Sequence, residues 1–234
     1  MHWEVYEPVI TPHPLFFTLN DQDSSGLVEI CHRAMSENCL GSGHELFHYG
    51  KTAERMYFVG RGTLDYMSGQ DPMRGGDQRI EVHANQWVSE MVLWMNWIHR
   101  GTVTGQTNAE LVELDAKKFH EHVRHRGFCF DVCRQYARLY VQRIASASSS
   151  DEDLPPDTWG HVDDLQVLVH QTNEGLHRIK SRSVAGVLSL LVGVFTEKDL
   201  AAQESDGGRS SGRRGSWGFG HHRSASAVVR TAEP

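Results

Sequence analysis

The sequence is poor in cysteine, has no apolar run long enough to cross a membrane, and carries no excess of positive charge. Among its 234 residues the spacing of the few cysteines matches no zinc-binding pattern, and these are Cys31, Cys39, Cys129 and Cys133. We therefore expect free thiols and a cytoplasmic setting. The longest apolar stretch, residues 184–195, is interrupted by two glycines and a serine, so no transmembrane segment is expected. The net charge of -7 argues against nucleic acid as a partner.

The sequence also offers little to catalysis. It lacks a complete Gly-x-x-x-x-Gly-Lys-Ser/Thr loop of the kind that holds nucleotide phosphates. Glu90 has the chemistry of a general base, but no partner acid or metal site accompanies it. His120, His122 and His125 are not four residues apart, as metal ligands on one helix face would be, and we expect them on a solvated face. We expect a protein that is not an enzyme, with no catalytic residue, no metal and no cofactor.

Proline-rich and polar stretches divide the chain into parts. Three prolines in the first 14 residues predict an extended segment, and residues 148–157, Ser-Ser-Ser-Asp-Glu-Asp-Leu-Pro-Pro-Asp, cannot bury a core. The expected parts are an extended lead-in at 1–14, a globular domain at 15–147, a linker at 148–157, a helical tail at 158–200 and a disordered tail at 201–234.

The globular part consists of short apolar runs that are separated by glycines and turns. A capped helix is predicted at 27–34, after Ser24-Ser25-Gly26. Strand-like runs follow at 45–49, 55–59, 63–67, 78–83, 102–107 and 109–114. From 116 onwards the apolar period becomes helical, which predicts two helices. The fold class is therefore mostly β with flanking α, an eight-stranded, antiparallel, jelly-roll-like β-roll followed by C-terminal helices.

One short helix is predicted inside the roll. Residues 89–99 contain a helical turn of apolar side chains, namely Met91, Val92, Leu93 and Trp94. A helix between two strands of a small roll is unusual, and we expect it to serve the function of the domain.

Several ordered pieces of the chain resemble the cyclic nucleotide-binding domain family. Leu-Phe-His-Tyr-Gly at 46–50, Met-Tyr-Phe-Val at 56–59 and Gly-Thr-Leu at 62–64 are similar to the front half of that domain. The pairs Ser89-Glu90 and His99-Arg100 then fall where its phosphate-binding cassette should lie, before the hairpin at 103–114. The segments 13–16 and 27–34 resemble the entry of ion-channel and kinase-regulatory members. The resemblance covers about 130 residues in the family's order.

The resemblance implies a site around the short helix. In the family the helix presents amides to the cyclic phosphate, a glutamate binds the ribose hydroxyl, and an arginine nine residues later pairs with the phosphate. The C-terminal helix caps the base, and its movement is the output. The implied nucleotide-binding residues are Val88, Ser89, Glu90, Met91, His99, Arg100, Gly101 and Thr102.

The cassette departs from the family at two positions. Ser89 stands where the family has glycine, and the residue nine after Glu90 is His99, with Arg100 one place later. Two hypotheses follow. Either Arg100 or a protonated His99 holds the phosphate, or the cassette binds no nucleotide and tryptophans such as Trp94 and Trp97 fill the space.

The resemblance implies a regulatory sensor of cyclic AMP or cyclic GMP, in the cytosolic C-terminal part of a potassium-type cation channel. The expected location is the cytosolic face of a membrane, with channel transmembrane subunits or further copies of the chain as partners. Two alternatives stay open. One is a degenerate interaction domain that binds no nucleotide, as in ether-a-go-go-type channels. The other is a cyclic AMP sensor of the kinase-regulatory type, although such subunits resemble two tandem domains with an arginine-rich sequence before them.

The tail contains one candidate regulatory motif. Arg-Arg-Gly-Ser at 213–216 resembles a basophilic-kinase site, which makes Ser216 a candidate phosphorylation site that would change the local charge. Residues 162–179 have partial helical periodicity, and we expect them to pack on the roll or on a partner subunit.

Overall fold

Eight strands, five α-helices and one 3₁₀ helix make up the part of the chain that the structure describes. A computed structural model describes residues 2–69, 79–147 and 154–181. The strands are β1 (Met35–Leu40), β2 (Glu45–Phe47), β3 (Arg55–Arg61), β4 (Thr63–Ser68), β5 (Arg79–His83), β6 (Trp87–Val88), β7 (Gly101–Gly105) and β8 (Ala109–Asp115). The helices are α1 (His2–Ile10), α2 (Pro14–Ala34), the 3₁₀ cassette helix (Glu90–Leu93), α3 (Ala116–Arg124), α4 (Gly127–Ala147) and α5 (Val162–Ser181).

The strands form two antiparallel four-stranded sheets. Their orders are β1–β8–β3–β6 and β2–β7–β4–β5. In the second sheet β4 pairs with β7, and Ser68 lies opposite Gly101 at the end next to the cassette. The predicted fold class, a mostly-β roll with a short inner helix and flanking helices, is confirmed.

Strand β3 separates two apolar cores. Successive side chains of a strand point to opposite faces, so Tyr57 and Val59 lie in the core between the sheets, while Met56 and Phe58 lie in the core under the helices. The cassette helix packs against β3, and its residues Met91, Val92 and Leu93 belong to the core under the helices.

The N-terminal segment is helical, and the predicted extended lead-in at 1–14 is wrong. Helix α1 buries Tyr6 and Ile10 completely or nearly so, and it packs on α2 and β3. Pro14 lies in the first turn of α2, where a missing N–H costs nothing. His13 caps that helix, because its Nδ1 accepts the amide of Leu15 at 3.2 Å. Buried apolar contacts outweigh the prolines that suggested extended chain.

Helix α2 is longer than predicted. The expected helix at 27–34 is its second half, which follows a kink at Asp23, where φ is -148°. The Asp23 carboxylate accepts the amide of Gly26 at 2.9 Å, so Asp23 takes the capping role predicted for Ser24 or Ser25. Strands β1 and β6 were not predicted, because neither has a clean apolar alternation.

The histidines on α3 are less exposed than predicted. His120 Nε2 lies 2.7 Å from the carbonyl oxygen of Leu93, and His122 Nε2 lies 3.3 Å from Glu29. They face neighbouring elements because α3 packs against α2 and the cassette helix. Among the described residues, no group of three or more His, Cys, Asp or Glu side chains could hold a metal ion.

The predicted linker ends inside the domain. Asp157, its last residue, is 1% exposed, so the polar composition of 148–157 does not describe that end. Helix α5 begins at Val162 and is described as far as Ser181, within the predicted helical tail. The predicted disordered tail at 201–234 and Ser216 lie outside the described residues. No helix that the structure describes is long and apolar enough to span a membrane.

Candidate anion-binding cassette

The carboxylate of Asp157 lies in the middle of the cassette (residues 88–102). Its Oδ1 accepts hydrogen bonds from Trp97 Nε1 and His99 Nδ1, both at 2.8 Å. Its Oδ2 accepts the backbone amide of Arg100 at 2.7 Å and the hydroxyl of Tyr66 at 3.1 Å. A carboxylate with this many donors is well satisfied without water. The cassette therefore holds an anion, and the anion belongs to the same chain.

The backbone of Asp157 is held as well as its side chain. The amide of Ser89 donates to the carbonyl oxygen of Asp157 at 2.7 Å, and the amide of Asp157 donates to the Tyr66 hydroxyl at 3.1 Å. Ser89 points its amide this way in a left-handed conformation, with φ 65° and ψ 32°. That conformation explains why the family prefers glycine at this position.

His99 is fixed on its face and on its edge. Its ring stacks on Phe47, with centroids 3.6 Å apart and planes 8° from parallel. Its Nδ1 lies 3.4 Å from the Ser89 hydroxyl in addition to its short contact with Asp157. Phe47 also contacts Tyr57, so aromatic rings fill this part of the roll. His99 acts here as a donor to a carboxylate.

The electrostatic effect of Asp157 is seen at Tyr66. Burial raises the pKa of the Tyr66 hydroxyl, and the nearby charge of Asp157 raises that pKa further. The charge of Arg100 acts in the opposite direction and lowers the pKa of Tyr66. Tyr66 is therefore a neutral hydroxyl at physiological pH, able to donate to the carboxylate.

Glu90 belongs to a second, separate cluster on the helix side of the cassette. Its Oε1 accepts the hydroxyl of Tyr136 at 2.9 Å and Nε1 of Trp94 at 3.2 Å. Its Oε2 lies 3.1 Å from Nε2 of His13, and both side chains are fully buried. Burial, and then the charge of Glu90, raise the pKa of Tyr136. Glu90 thus connects the cassette helix to α2 and α4.

The predicted site residues do not all face the same part of the cassette. Val88 lies in the core between the sheets, and Met91 lies in the core under the helices. Thr102 Oγ1 accepts the amide of Tyr49 at 3.2 Å. A Cβ at Gly101 would collide with the carbonyl of Met67 and the ring of Tyr66. Those that touch Asp157 directly are Ser89, His99 and Arg100.

The sequence did not reveal most of the residues that complete these clusters. They are His13, Tyr66, Trp97, Tyr136 and Asp157. Composition predicts a linker at Asp157, and the sequence indicates for Trp97 only that its side chain fills space in the cassette. The one local signal for Asp157 is the preceding Pro155-Pro156 pair, which restricts the backbone before it.

The donors around the Asp157 carboxylate are two ring N–H groups, one backbone amide and a hydroxyl. Donors of these kinds match the oxygen atoms of a carboxylate or a phosphate. Here the oxygen atoms of Asp157 accept all of these bonds.

No protein-family model matches the chain, and no curated protein matches it. Among the solved structures similar to it is the N-terminal domain of a transcriptional regulator from Streptomyces coelicolor A3(2), with 24% identity, a TM-score of 0.48, and 61% of this chain and 98% of that one covered. A cyclic nucleotide-binding-like protein from Brucella abortus has 19% identity, a TM-score of 0.40, and coverage of 46% and 90%.

A third similar structure is the regulatory subunit of a cAMP-independent protein kinase A from Trypanosoma brucei. Its identity is 18% and its TM-score 0.45, with 63% of this chain covered, and the match spans 48% of that subunit. None of these three structures is described as part of an ion channel. The likeness to these three structures is one of fold.

Proposed function

We propose that the chain is a regulatory module of the cyclic nucleotide-binding type, without catalytic activity, whose cassette is occupied by its own Asp157. The observation that carries this proposal is the buried Asp157 carboxylate, which accepts bonds from Trp97, His99, Arg100 and Tyr66. A cassette whose donors surround a carboxylate in this way is suited to bind an anion. The internal carboxylate keeps the cassette in the state in which Asp157 occupies it.

The internal carboxylate sets the affinity for an external ligand. A cyclic nucleotide phosphate and Asp157 compete for the same donors, so the apparent affinity equals the intrinsic affinity multiplied by the fraction of time for which Asp157 is out of the cassette. The ligand class is cyclic AMP or cyclic GMP, and the proposed setting is cytoplasmic. A place in a cation channel or in a kinase-regulatory protein belongs to the same proposal, and sequence upstream of Met1 would distinguish them.

A second candidate function is an interaction domain that binds no nucleotide. The position of Glu90 favours it, because both oxygens of the residue that matches the family's ribose glutamate face His13, Trp94 and Tyr136. In that case Asp157 is a permanent ligand of the cassette, and the module transmits a signal through its partners.

Calorimetry with cyclic AMP and cyclic GMP tests the proposal on the full chain. We compare the wild type with Asp157→Asn, which keeps the size of the side chain but presents an NH₂ group to the cassette donors. Asp157→Ala removes the side chain in a second variant. Asp163→Asn is the matched control, because Asp163 is an exposed carboxylate six residues further along the chain.

The expected result is weak binding or none by the wild type and by Asp163→Asn, with measurable binding by at least one Asp157 variant that circular dichroism shows to be folded. Equal binding by all proteins would mean that Asp157 does not compete, and would overturn self-occupancy. No heat from either ligand with any folded variant would reject the nucleotide sensor and leave the interaction domain as the function.

A further inference from the structure

We propose that the closing segment (residues 154–160) and helix α5 form one cooperative unit, which leaves the roll when Asp157 leaves the cassette. The inference rests on the proposed function and specifies its output. Occupation of the cassette by Asp157 and docking of α5 are then two descriptions of the same state.

The closing segment is held to the roll through Asp157. Besides its carboxylate, the carbonyl and the amide of Asp157 are bonded to Ser89 and Tyr66. The amide of Trp159 donates to the carbonyl of Pro156 at 2.9 Å, which closes a tight turn around Asp157. Breaking the carboxylate contacts therefore removes the main polar attachment of this turn.

Trp159 joins the turn to α4. Its ring meets Tyr140 edge to face, with centroids 4.9 Å apart and planes at 88°. Tyr140 in turn lies in the aromatic group that contains Trp94 and Tyr136, next to Glu90. Movement of the turn would therefore change the aromatic packing around Glu90.

Gly160 lies between the turn and the start of α5. Its φ of 116° is open to glycine and strained for other residues. A Cβ here would lie 3.4 Å from a methyl carbon of Leu165 and 3.6 Å from Oε2 of Glu90. Gly160 therefore lies next to both groups, two residues before the first residue of α5.

Helix α5 lies on α2 and α4. Its buried side chains are Leu165, Leu168, Val169 and Thr172. At its edges Asp164 accepts a bond from Arg143 at 2.6 Å, and Gln22 donates to Asn173 at 3.4 Å. The buried apolar side chains belong to the core under the helices, whereas the two polar contacts are part-buried or exposed, and contacts exposed to solvent open more readily than buried ones.

Hydrogen exchange measured by mass spectrometry tests whether the unit exists, without any ligand. In full-length Asp157→Asn we expect residues 154–160 and α5 to exchange about tenfold faster or more than in the wild type, because the NH₂ group of asparagine cannot accept the bonds that the second carboxylate oxygen accepts. Strands β3, β4 and β8 should stay more protected than α5 in both proteins, because they exchange through a larger opening. Asp163→Asn, in the first turn of α5, is the control and should leave the exchange of residues 154–160 and of the strands unchanged.

The reverse perturbation tests the coupling from the other end. Leu168→Ala loosens α5 without touching the cassette, and Val167→Ala, at a neighbouring residue that is 46% exposed, is its control. Since coupling between two sites is reciprocal, Leu168→Ala should also speed exchange at 154–160, while Val167→Ala should not.

Two results would overturn the inference. In the first, α5 stays as protected in Asp157→Asn as in the wild type. In the second, α5 and the sheets exchange with the same opening free energy in each protein, which would mean that α5 is not a separate unit. Neither depends on nucleotide binding, so the proposed function can fail in calorimetry while this inference stands, and the reverse also holds.

Discussion

Nδ1 of His99 lies 2.8 Å from Oδ1 of Asp157, and both side chains are almost completely buried. The two residues are 58 positions apart in the chain, and nothing but the fold brings them together. A buried carboxylate is expensive to leave without its donors, because the desolvation cost then stands uncompensated. This contact therefore contributes much of the stability of the state in which Asp157 occupies the cassette.

The first prediction concerns the energy of that contact. His99→Ala and Asp157→Ala should each lower the free energy of unfolding by about 3 kcal/mol. The double variant should lose less than the sum, with a coupling energy of about 1–3 kcal/mol. Urea unfolding of the wild type, both single variants and the double variant measures this coupling.

The exposed pair of His48 and Glu45 is the control for that cycle. Its Nδ1–Oε1 distance is 2.9 Å, similar to that of the buried pair, but the side chains are 59% and 50% exposed. The corresponding coupling should be about 0.5 kcal/mol or less. If the buried cycle gives no more coupling than this one, Asp157 is not held by His99 in solution.

The second prediction separates the structural role of Glu90 from the role that the family resemblance implies. His13 Nδ1 accepts the amide of Leu15, and its Nε2 lies 3.1 Å from Oε2 of Glu90. In Glu90→Gln one carboxylate oxygen becomes an NH₂ group, so the side chain no longer presents two oxygens to His13, Trp94 and Tyr136. The free energy of unfolding should fall by about 1–3 kcal/mol.

The nucleotide affinity is the discriminating measurement for Glu90. In an Asp157→Asn background, Glu90→Gln should change the affinity for cyclic AMP by less than about threefold, or roughly 0.7 kcal/mol. If Glu90 instead bound the ribose hydroxyl, the affinity for cyclic AMP would fall much more than threefold. A large loss of affinity with an unchanged unfolding free energy would restore the family's role to Glu90.

The fold was largely predictable, and the reasons are local. The continuous apolar run from Met56 to Val59, with glycines after it, predicts the buried strand β3 and the turn that ends it. The helical period after Ala116 predicts α3 and α4 in the same way. By contrast, α1 forms because Tyr6 and Ile10 are buried against α2 and β3, whereas the prolines around it favour extended chain.

The candidate site was predictable only where residues are close in sequence. Ser89, His99 and Arg100 lie in one loop, and the family's order of elements identifies that loop. Asp157 comes from a stretch whose composition is typical of solvated chain, and its burial depends on donors supplied by strand β4 and by the loop after the cassette helix. Hydrogen bonds to one carboxylate from residues that are distant in sequence cannot be recognised from the periodicity or composition of the chain.

The third prediction concerns the left-handed backbone at Ser89. A side chain in this region costs about 1 kcal/mol relative to glycine, and Ser89 is fully buried with φ 65°. Ser89→Gly should therefore raise the free energy of unfolding by up to about 1 kcal/mol. Thermal unfolding measures the change.

Asn85 is the matched control for Ser89. It also has a positive φ, 68°, but it is exposed, and asparagine tolerates this conformation. Asn85→Gly should be nearly neutral. A loss of stability in Ser89→Gly would show that the hydroxyl contact with His99, at 3.4 Å, outweighs the relief of strain.

The fourth prediction concerns thiol reactivity. Cys39 is exposed, whereas burial raises the pKa of Cys31 and of Cys129 to about 12 and raises the pKa of Cys133 as well. Because only the thiolate reacts, iodoacetamide at pH 8 should add one group to the folded chain, at Cys39. Mass spectrometry of intact and digested protein measures the number and position of the alkylated cysteines. The unfolded protein should be alkylated at all four cysteines. A second rapid adduct would contradict the burial of the helix cysteines.

The last prediction follows from the carboxyl group at the kink of α2. Burial raises the pKa of Asp23, but the Gly26 amide, the Cys129 thiol and the Ser25 hydroxyl bond to its ionised form and hold the pKa below its ordinary value. A carboxyl whose pKa is lower in the folded state stabilises the protein above its unfolded pKa of about 4. That stability is lost as the pH falls through the folded pKa.

Between about pH 4 and pH 2, the unfolding free energy of the wild type should therefore fall more steeply than that of Asp23→Asn. Urea unfolding at a series of pH values gives both slopes. Asp21→Asn, an exposed change in the same helix, should keep the slope of the wild type, because the carboxylate of Asp23 is still present. If the slope of Asp23→Asn equals that of the wild type, the carboxylate of Asp23 does not hold the kink between the two halves of α2.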